Sequence, residues 1–498
     1  MLYILPAEVT LNVLSHLPIP SLLSLPVLSR QWLDFFTTNQ SIIFRSAALL
    51  HEYIQPETLS LEDALSVNTG RPWAGSTSWK DFCHRSFQLQ KNWEGRGRAV
   101  VRVVPPPGLN VHRIKIDEEA GICIMTCVWG GLNVLHLFSG IVLWCLPQSH
   151  VRSHAHCEYD NGYLVFDRMD GAMEVWRLAN DFSIEDEVAA DAPPDGEQMD
   201  VSATVAALYH QYVPRGQFRP WALLRFHEFP LAYRLAYPTL ICASDERAFL
   251  HDVLTGSLVQ TIDIHLDGLR YVDVNERHAF VCERAAVHVF SRESGSEVLR
   301  IPVDAIVQCS QLVEDPVTVS GDWFVTPLSV YSRSDGFSFH PEFIAAHVSR
   351  DGRDLAVLLE SCRIVFVRDF ERICRGETSL KQAGRVLGIA PQACYYLGFE
   401  HGRVCVATIQ GLYIFTFGTD LSAKAVFVRP SIEPSTSSYY PISCMQLTDR
   451  RIYFTWEDAR RRQDIPLFED PENAQELQPS MTPNLDLELQ VWMARHGR

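Results

Sequence analysis

The densest group of side chains able to hold a metal is His154-Ala155-His156-Cys157. On an extended segment neighbouring side chains point to opposite faces, so at most His154 and His156 converge and a site still lacks ligands. Cys123 and Cys127 share a face of a strand-like segment without converging. His51-Glu52 and His227-Glu228 begin like a zinc-protease helix, but no histidine follows one turn later to complete the chelate. Gly95-Arg96-Gly97 lacks the third glycine and the preceding strand of a dinucleotide loop. No Gly-x-Ser-x-Gly nucleophile elbow occurs. Arg450-Arg451 and Arg460-Arg461-Arg462 stand near Glu457, Asp458 and Asp464 and read as a solvated mixed-charge face. The expectation is therefore no catalytic residues, no cofactor and no metal, and the chemistry to look for is recognition.

The elements that carry recognition must fit a chain of 498 residues, long for one ordinary core but not for a large closed β architecture. With 47% hydrophobic and 21% charged residues, the chain can bury a sizeable core. A formal net charge of -17, from 60 acidic against 43 basic residues, opposes binding to nucleic acid or anionic lipid and points to protein partners. The 13 cysteines are scattered through apolar runs without a disulfide framework, which fits a reducing compartment, cytoplasmic or nuclear. The apolar N-terminus is interrupted by Glu8, His16 and four prolines, Pro6, Pro18, Pro20 and Pro26, and reads as neither leader nor anchor. Ala120 to Val151 holds no Asp, Glu, Lys or Arg, but Gly130-Gly131 and Gly140 divide it into pieces of about ten residues, short of the ~20 a membrane helix needs. Buried strands are the expectation there.

Residues 1–54 read as short helices. Pro6 and Glu8 suit a first turn, Val9, Leu14 and Leu17 recur near helical spacing, Ser21 is placed to cap a second helix, and Pro26 to open a third that carries Leu28, Trp32 and Phe35-Phe36. Residues 41–54 read as a fourth. A Gly, Pro, Ser and Thr loop then leads to the helix SWKDFCHRSFQLQKNW, so that 55–97 form a helical linker.

From 98 to 463 β-branched and aromatic residues gather in short runs between Gly, Asp and Asn turns. One unit recurs, an apolar run, a short turn and a second apolar run, at 123–140, 163–178, 239–256, 278–295, 355–370 and 404–418, and more weakly at 445–456. The period, roughly 40 to 50 residues where no insertion intervenes, indicates blades of a β-propeller. Seven blades are favoured, and six or eight also fit. RAVVRVV at 98–104 is placed to supply the outer strand of the last blade and close the ring. Two gaps are nearly double length. One holds Asp181 to Asp200, with acids and no Lys or Arg, and the other spans about Ala305 to Pro341; each is either a long insertion or a degenerate blade, and residues 181–200 are expected to be mobile. Residues 464–498 read as an acidic, partly ordered tail.

The run LPAEVTLNVLSHLPIPSLLSLPVLSRQWLDFF, 5–36, resembles the F-box. Leu5-Pro6 with Glu8, Val13-Leu14 with Leu17, Leu22-Leu23 with Leu25, and Leu28-Ser29-Arg30-Gln31-Trp32 follow that family's motif in order. Ser21 stands where an acid is usual and Leu28 where valine is. Trp79, Lys80, Phe82, Arg85, Leu89, Asn92, Trp93 and Gly95 are similar to the helix between F-box and propeller in F-box proteins of the WD-repeat class. The repeats contain no Gly-His dipeptide, so the propeller is a divergent WD-like one.

The resemblance implies the fold class, a small all-α F-box and helical linker followed by a large all-β propeller, and a role: a non-catalytic substrate receptor of a cullin-based ubiquitin ligase. It implies that Leu5, Pro6, Leu14, Leu17, Leu22, Leu28 and Trp32 meet a Skp-type adaptor, and through it a cullin scaffold, while the propeller takes a protein substrate of unspecified identity. Arg152, Arg168, Arg247 and Arg284, at blade starts or inner turns, are the candidate substrate-binding residues on one rim. The alternative is a propeller enzyme or a non-ligase scaffold with a helical docking segment; an enzyme would need acids, histidines or a metal converging at the central channel.

Overall fold

The computed structural model describes residues 5–55, 58–67, 73, 75–97, 99–104, 111–182, 191–209, 215–306, 311–313, 323–331, 342–389, 394–418, 420–430, 442–456 and 489–495. The chain divides into a helical unit that runs to Val100 and a β unit that begins at Val101. No described helix is long and apolar enough to cross a membrane.

In the helical unit α1 (Ala7–Leu14) starts after Pro6, with Glu8 in its first turn. α2 (Ile19–Ser24) starts after Pro18 and takes Pro20 in its first turn, so Ser21 lies inside the helix and is not its cap. Pro26 sits in a short 3-10 turn, Leu25–Val27, and does not open the next helix. That helix, α3 (Arg30–Leu50), is capped by Ser29, whose hydroxyl accepts the Trp32 amide at 3.2 Å. The stretch read as a fourth helix continues α3 across a kink at Asn39, whose side chain donates to the Phe35 carbonyl at 2.9 Å. α4 (Leu61–Val67) and α5 (Trp79–Trp93) complete the unit, with Ser78 capping α5. Leu14, Ile19, Leu22, Trp32, Phe36, Phe44, Trp79 and Phe82 form one core, so α5 packs with the first three helices.

The β unit contains six antiparallel blades of four consecutive strands. The first runs from Val111–Asp117 at the axis through Ile122–Cys127 and Leu132–His136 to Val142–Leu146 at the periphery. Its second to fourth strands form the uncharged stretch, folded as mostly buried strands. The other innermost strands are Cys157–Asp160, Ala232–Ala236, Leu269–Val274, Phe343–Val348 and Cys394–Glu400. A further sheet, in the order Met445–Leu447, Arg451–Trp456, Leu489–Arg495 and Ala99–Val104, joins the two ends of the unit. Its inner strand touches the innermost strands of the first and sixth blades, which closes the circle. The six blades lie within the expected range, and Ala99–Val104 is the outer strand of the last sheet, as the sequence suggested. The strand Leu489–Arg495 falls inside the stretch read as a tail; 457–488 lie outside the described residues.

Neither long gap forms a blade of its own. Gln311–Val313 and Val330–Tyr331 extend the fifth blade, and Trp323–Leu328 pairs with the outer strand of the sixth. The acidic gap corrects the expectation of a mobile insertion, because its described part includes α6 (Gly196–Tyr209), and 183–190 lie outside the described residues. Val205 packs against the Trp176 and Phe218 cluster, while Gln198 is buried and its amide reaches the Val175 and Ala222 carbonyls, each at 3.3 Å. Asp195 caps α6 by accepting the Gln198 amide at 2.9 Å, and the same carboxylate meets Arg168 at 2.9 and 3.0 Å. Replacing Asp195 by Ala should therefore cost about 2 kcal/mol, one helix cap plus one partner of a buried guanidinium. Chemical denaturation of the full chain measures it, and an unchanged midpoint would mean that the acidic segment contributes nothing to the fold.

Candidate functional site

In the helical unit the residues implied to dock an adaptor divide into two groups. Leu14 and Leu22 are fully buried and Trp32 nearly so, with Trp32 edge-on to Phe35 and Phe36 at 6.0 Å each. These three hold the core of the helical unit, a division between core and surface that the motif itself does not make. Leu17 is half-buried, while Leu5, Pro6 and Leu28 are exposed, Leu28 at 66%. Around them the structure adds Val9, Val13, Leu33 and Val27, the last 83% exposed. Val9 and Val13 are one helical turn apart on α1 and so lie on the same side of it. Together they make an exposed apolar surface on a small bundle.

In the β unit, charged side chains of the innermost strands converge on the axis. Lys115 Nζ lies 2.8 Å and Arg234 Nη1 3.3 Å from Glu158 Oε2. Arg234 also reaches Asp273 and Glu400, each at 3.7 Å. His347 Nδ1 is 3.2 Å from Asp273 Oδ2, which accepts the Val348 amide at 3.0 Å. Arg113 Nε donates to His156 Nδ1 at 3.3 Å, which leaves His156 Nε2 to donate to Glu158 Oε1 at 2.7 Å. Burial works to raise the Glu158 carboxyl, yet Lys115 and Arg234 outweigh it and hold the group below the ordinary carboxylate range. Burial pushes His156 and His347 down, against the pull of Glu158 and Asp273, so both are neutral imidazoles at pH 7. The axis is thus braced by ion pairs between adjoining blades and, through Arg234 and Glu400, between the third and sixth. His154 takes a different partner from His156, packing edge-on to His112 at 5.3 Å. Among the described residues no group of three or more His, Cys, Asp or Glu side chains is arranged to hold a metal.

An up-and-down blade places its second-to-third-strand turn and its connection to the next blade on one rim, and the four candidate arginines all occupy such positions. Arg168 is a correction to the set of surface readers: it is fully buried and held by Asp170 at 2.6 Å, Glu174 at 3.2 Å and Asp195 at 2.9 Å. Arg247 pairs with Glu228, and Arg284 lies 3.8 Å from Glu342. Arg152 instead lies over the Phe229 ring, 5.1 Å from its centroid. The sequence reading missed the large apolar residues on this rim, Trp129, Met169 and Phe229. The available signal was a bulky apolar residue at a hairpin tip, as in Val128-Trp129-Gly130 and Arg168-Met169-Asp170, where a turn calls for polar residues.

Residues 2–43 match the family model described as the F-box domain. No curated protein sequence matches the chain. Among solved structures, the chain is similar to the computationally designed Ika8 protein at 12% identity, covering 72% of this chain and 96% of that one with a TM-score of 0.41. It is similar to U3-55K at 9% identity, 70% and 88% coverage and a TM-score of 0.42. It is also similar to the C-terminal WD40 domain of Sif2 at 13% identity, 64% and 69% coverage and a TM-score of 0.34. The propeller rests on its strand order and not on these likenesses. The chain therefore carries an F-box domain at its N-terminus, followed by a β-propeller.

Proposed function

We propose that this chain is the substrate-receptor subunit of an SCF-type ubiquitin ligase, acting without catalysis of its own in the cytoplasm or nucleus. Its F-box would bind a Skp-type adaptor, and through it a cullin scaffold, while the propeller presents a protein substrate. The observation that carries this reading is the F-box match joined to an outward apolar face, in which Leu5, Val9, Val13, Val27, Leu28 and Leu33 are exposed while Leu14, Leu22 and Trp32 hold the core. Such a face buried against a partner removes apolar surface from water on both sides.

One observation favours the other class, a propeller with chemistry at its axis, because acids and histidines do converge there. Against it, Glu158 and Asp273 are each matched by a cation and a histidine within the chain, so neither is poised as a free acid or base.

The test is copurification of a Skp-type adaptor with the full chain and with a Val27→Asp, Leu28→Asp double variant. Both positions are exposed, so the helices should stay folded while two charges enter the interface; adaptor capture should fall by at least about tenfold. Equal capture by both proteins, or none by the parent, would refute the receptor reading.

A further inference from the structure

Two hairpin tips and two inter-blade connections meet on the rim of the first three blades. The tip 128–131 is tied to the following connection by the His154 amide, which donates to the Val128 carbonyl at 3.2 Å, and by the Gly131 amide, which donates to Val151 at 3.2 Å. That connection is tied to the next tip, since the Arg152 amide donates to Asp167 at 3.2 Å and the Met169 amide to His150 at 3.0 Å. Phe229, from the connection into the third blade, lies against both Arg152 and the Gly171 backbone. Gly130, Gly131 and Gly171 all have positive φ, the left-handed backbone that lets these tips turn tightly. The result is one small surface on which Trp129 is 69%, Met169 54% and Phe229 52% exposed, with Arg152 among them.

Arg152 differs from the other rim arginines. Arg168, Arg247 and Arg284 are each neutralised by a carboxylate of the chain, whereas Arg152 has no ion pair among the described residues and lies over the Phe229 ring. Its ring contact fixes the guanidinium plane and leaves N–H edges to donate. Buried Asp167 attracts Arg152 from a distance, but no ion pair between the two forms among the described residues. The neighbouring side chains, tryptophan, methionine and phenylalanine, are the types that dominate binding hot spots or adapt to varied apolar partners.

We propose that Trp129, Met169, Phe229 and Arg152 form a docking site for a short segment of a partner protein that places a bulky apolar side chain beside an aspartate or glutamate. The apolar side chain covers the three exposed residues, and the carboxylate pairs with Arg152 in partly desolvated surroundings, where a charge-assisted hydrogen bond is strong. Its extent, two hairpin tips and two connections, fits a few residues of extended chain better than a domain face. This gives a substrate class to the receptor reading and rests on it for biological meaning, although the binding itself does not require a ligase.

The experiment uses the purified full chain and an array of synthetic peptides in which Phe or Ala is followed by Glu, phosphoserine, Lys or Ala in a neutral background. The Phe-Glu peptides should bind best, with roughly tenfold loss when either member of the pair becomes Ala. Arg152→Gln should remove the preference for Glu, and Arg152→Glu should shift it to the Phe-Lys peptides; a Trp129→Ser, Phe229→Ser variant should remove the preference for Phe. Thermal melts that match the parent's keep these readings separate from misfolding. Phosphoserine peptides that outrank Glu without needing Phe would overturn the proposal, as would selectivity untouched by the Arg152 substitutions. Adaptor copurification, run on the same proteins, reports on the F-box alone, so failure of the ligase reading and failure of this site are distinguishable.

Discussion

Replacing Leu14 by Asp should unfold the helical unit while the propeller stays intact. Leu14 is fully buried at the end of α1, within the core formed by Ile19, Leu22, Trp32, Phe36 and Phe44. The aspartate loses the apolar contacts of the leucine and strands an unpaired charge where no cation can follow, at a cost of about 4 kcal/mol or more. A unit of this size has a total stability of roughly 5 to 10 kcal/mol, so the substitution removes most of it. Amide hydrogen exchange on the full chain should show α1 to α3 losing protection while peptides from the blades keep theirs. Leu28→Asp is the control, since that side chain is mostly in solvent and its exchange pattern should match the parent's. Retained protection of α1 in the Leu14 variant would show that the buried position tolerates charge and that the assigned core is wrong. Loss of adaptor binding by Leu14→Asp would accordingly report unfolding, and only the Val27 and Leu28 positions test the contact itself.

The order of leucines in 5–36 was enough to recognise an F-box, but the motif could not sort its members by side. Thr10 and Leu14 face inward on α1 while Val9 and Val13, equally apolar or more so, face out, because the helix is apolar around much of its circumference. In the β unit the paired apolar runs marked the hairpins well, since each blade buries both faces of its middle strands and leaves polar residues only at turns. The short strands at 311–313 and 330–331 gave no such signal, being too brief for any alternation to emerge. Leu489–Arg495 was hidden by the acidic composition around it. The acidic gap misled for a different reason. Its charge was taken to exclude it from the fold, yet Asp195 is the partner of a buried arginine, 27 residues away in sequence, and no local pattern reports that pairing.

The charges at the axis show a similar limit. Lys115, Glu158, Arg234, Asp273 and Glu400 belong to five different innermost strands and meet only when the ring closes. A single charge set between apolar residues in one such strand, as in Tyr233-Arg234-Leu235, reads as a solvent-facing position. Closure turns that outward face into the wall of the channel, where a charge without a partner is costly. Acids and histidines thus converge at the axis in residue type, and Glu158 and Asp273 there are paired within the chain.

Replacing Arg234 by Met should be among the most damaging changes in the propeller. Arg234 reaches Glu158 at 3.3 Å and Asp273 and Glu400 at 3.7 Å each, and the methionine would leave these acids of three blades with less positive charge to share. Glu158 would retain Lys115 and His156, while Asp273 would keep His347 and the Val274 and Val348 amides but no cation, so a loss of about 3 to 5 kcal/mol is expected from breaking a buried pair on one side. The loss should depend on pH in a defined direction. Burial already raises the Glu400 carboxyl against the pull of Arg234, and without that cation it rises further above its unfolded value, so the variant should be penalised most at pH 7 to 8 and should recover as the pH falls and this acid takes up its proton. Adding Asp273→Asn to Arg234→Met should restore part of the stability by removing charge from both sides of the pair. Denaturant midpoints of the full chain at pH 8 and pH 5.5 measure all three outcomes. A midpoint for Arg234→Met equal to the parent's, or a deficit that does not shrink on acidification, would mean that the axial charges are hydrated and do not brace the ring.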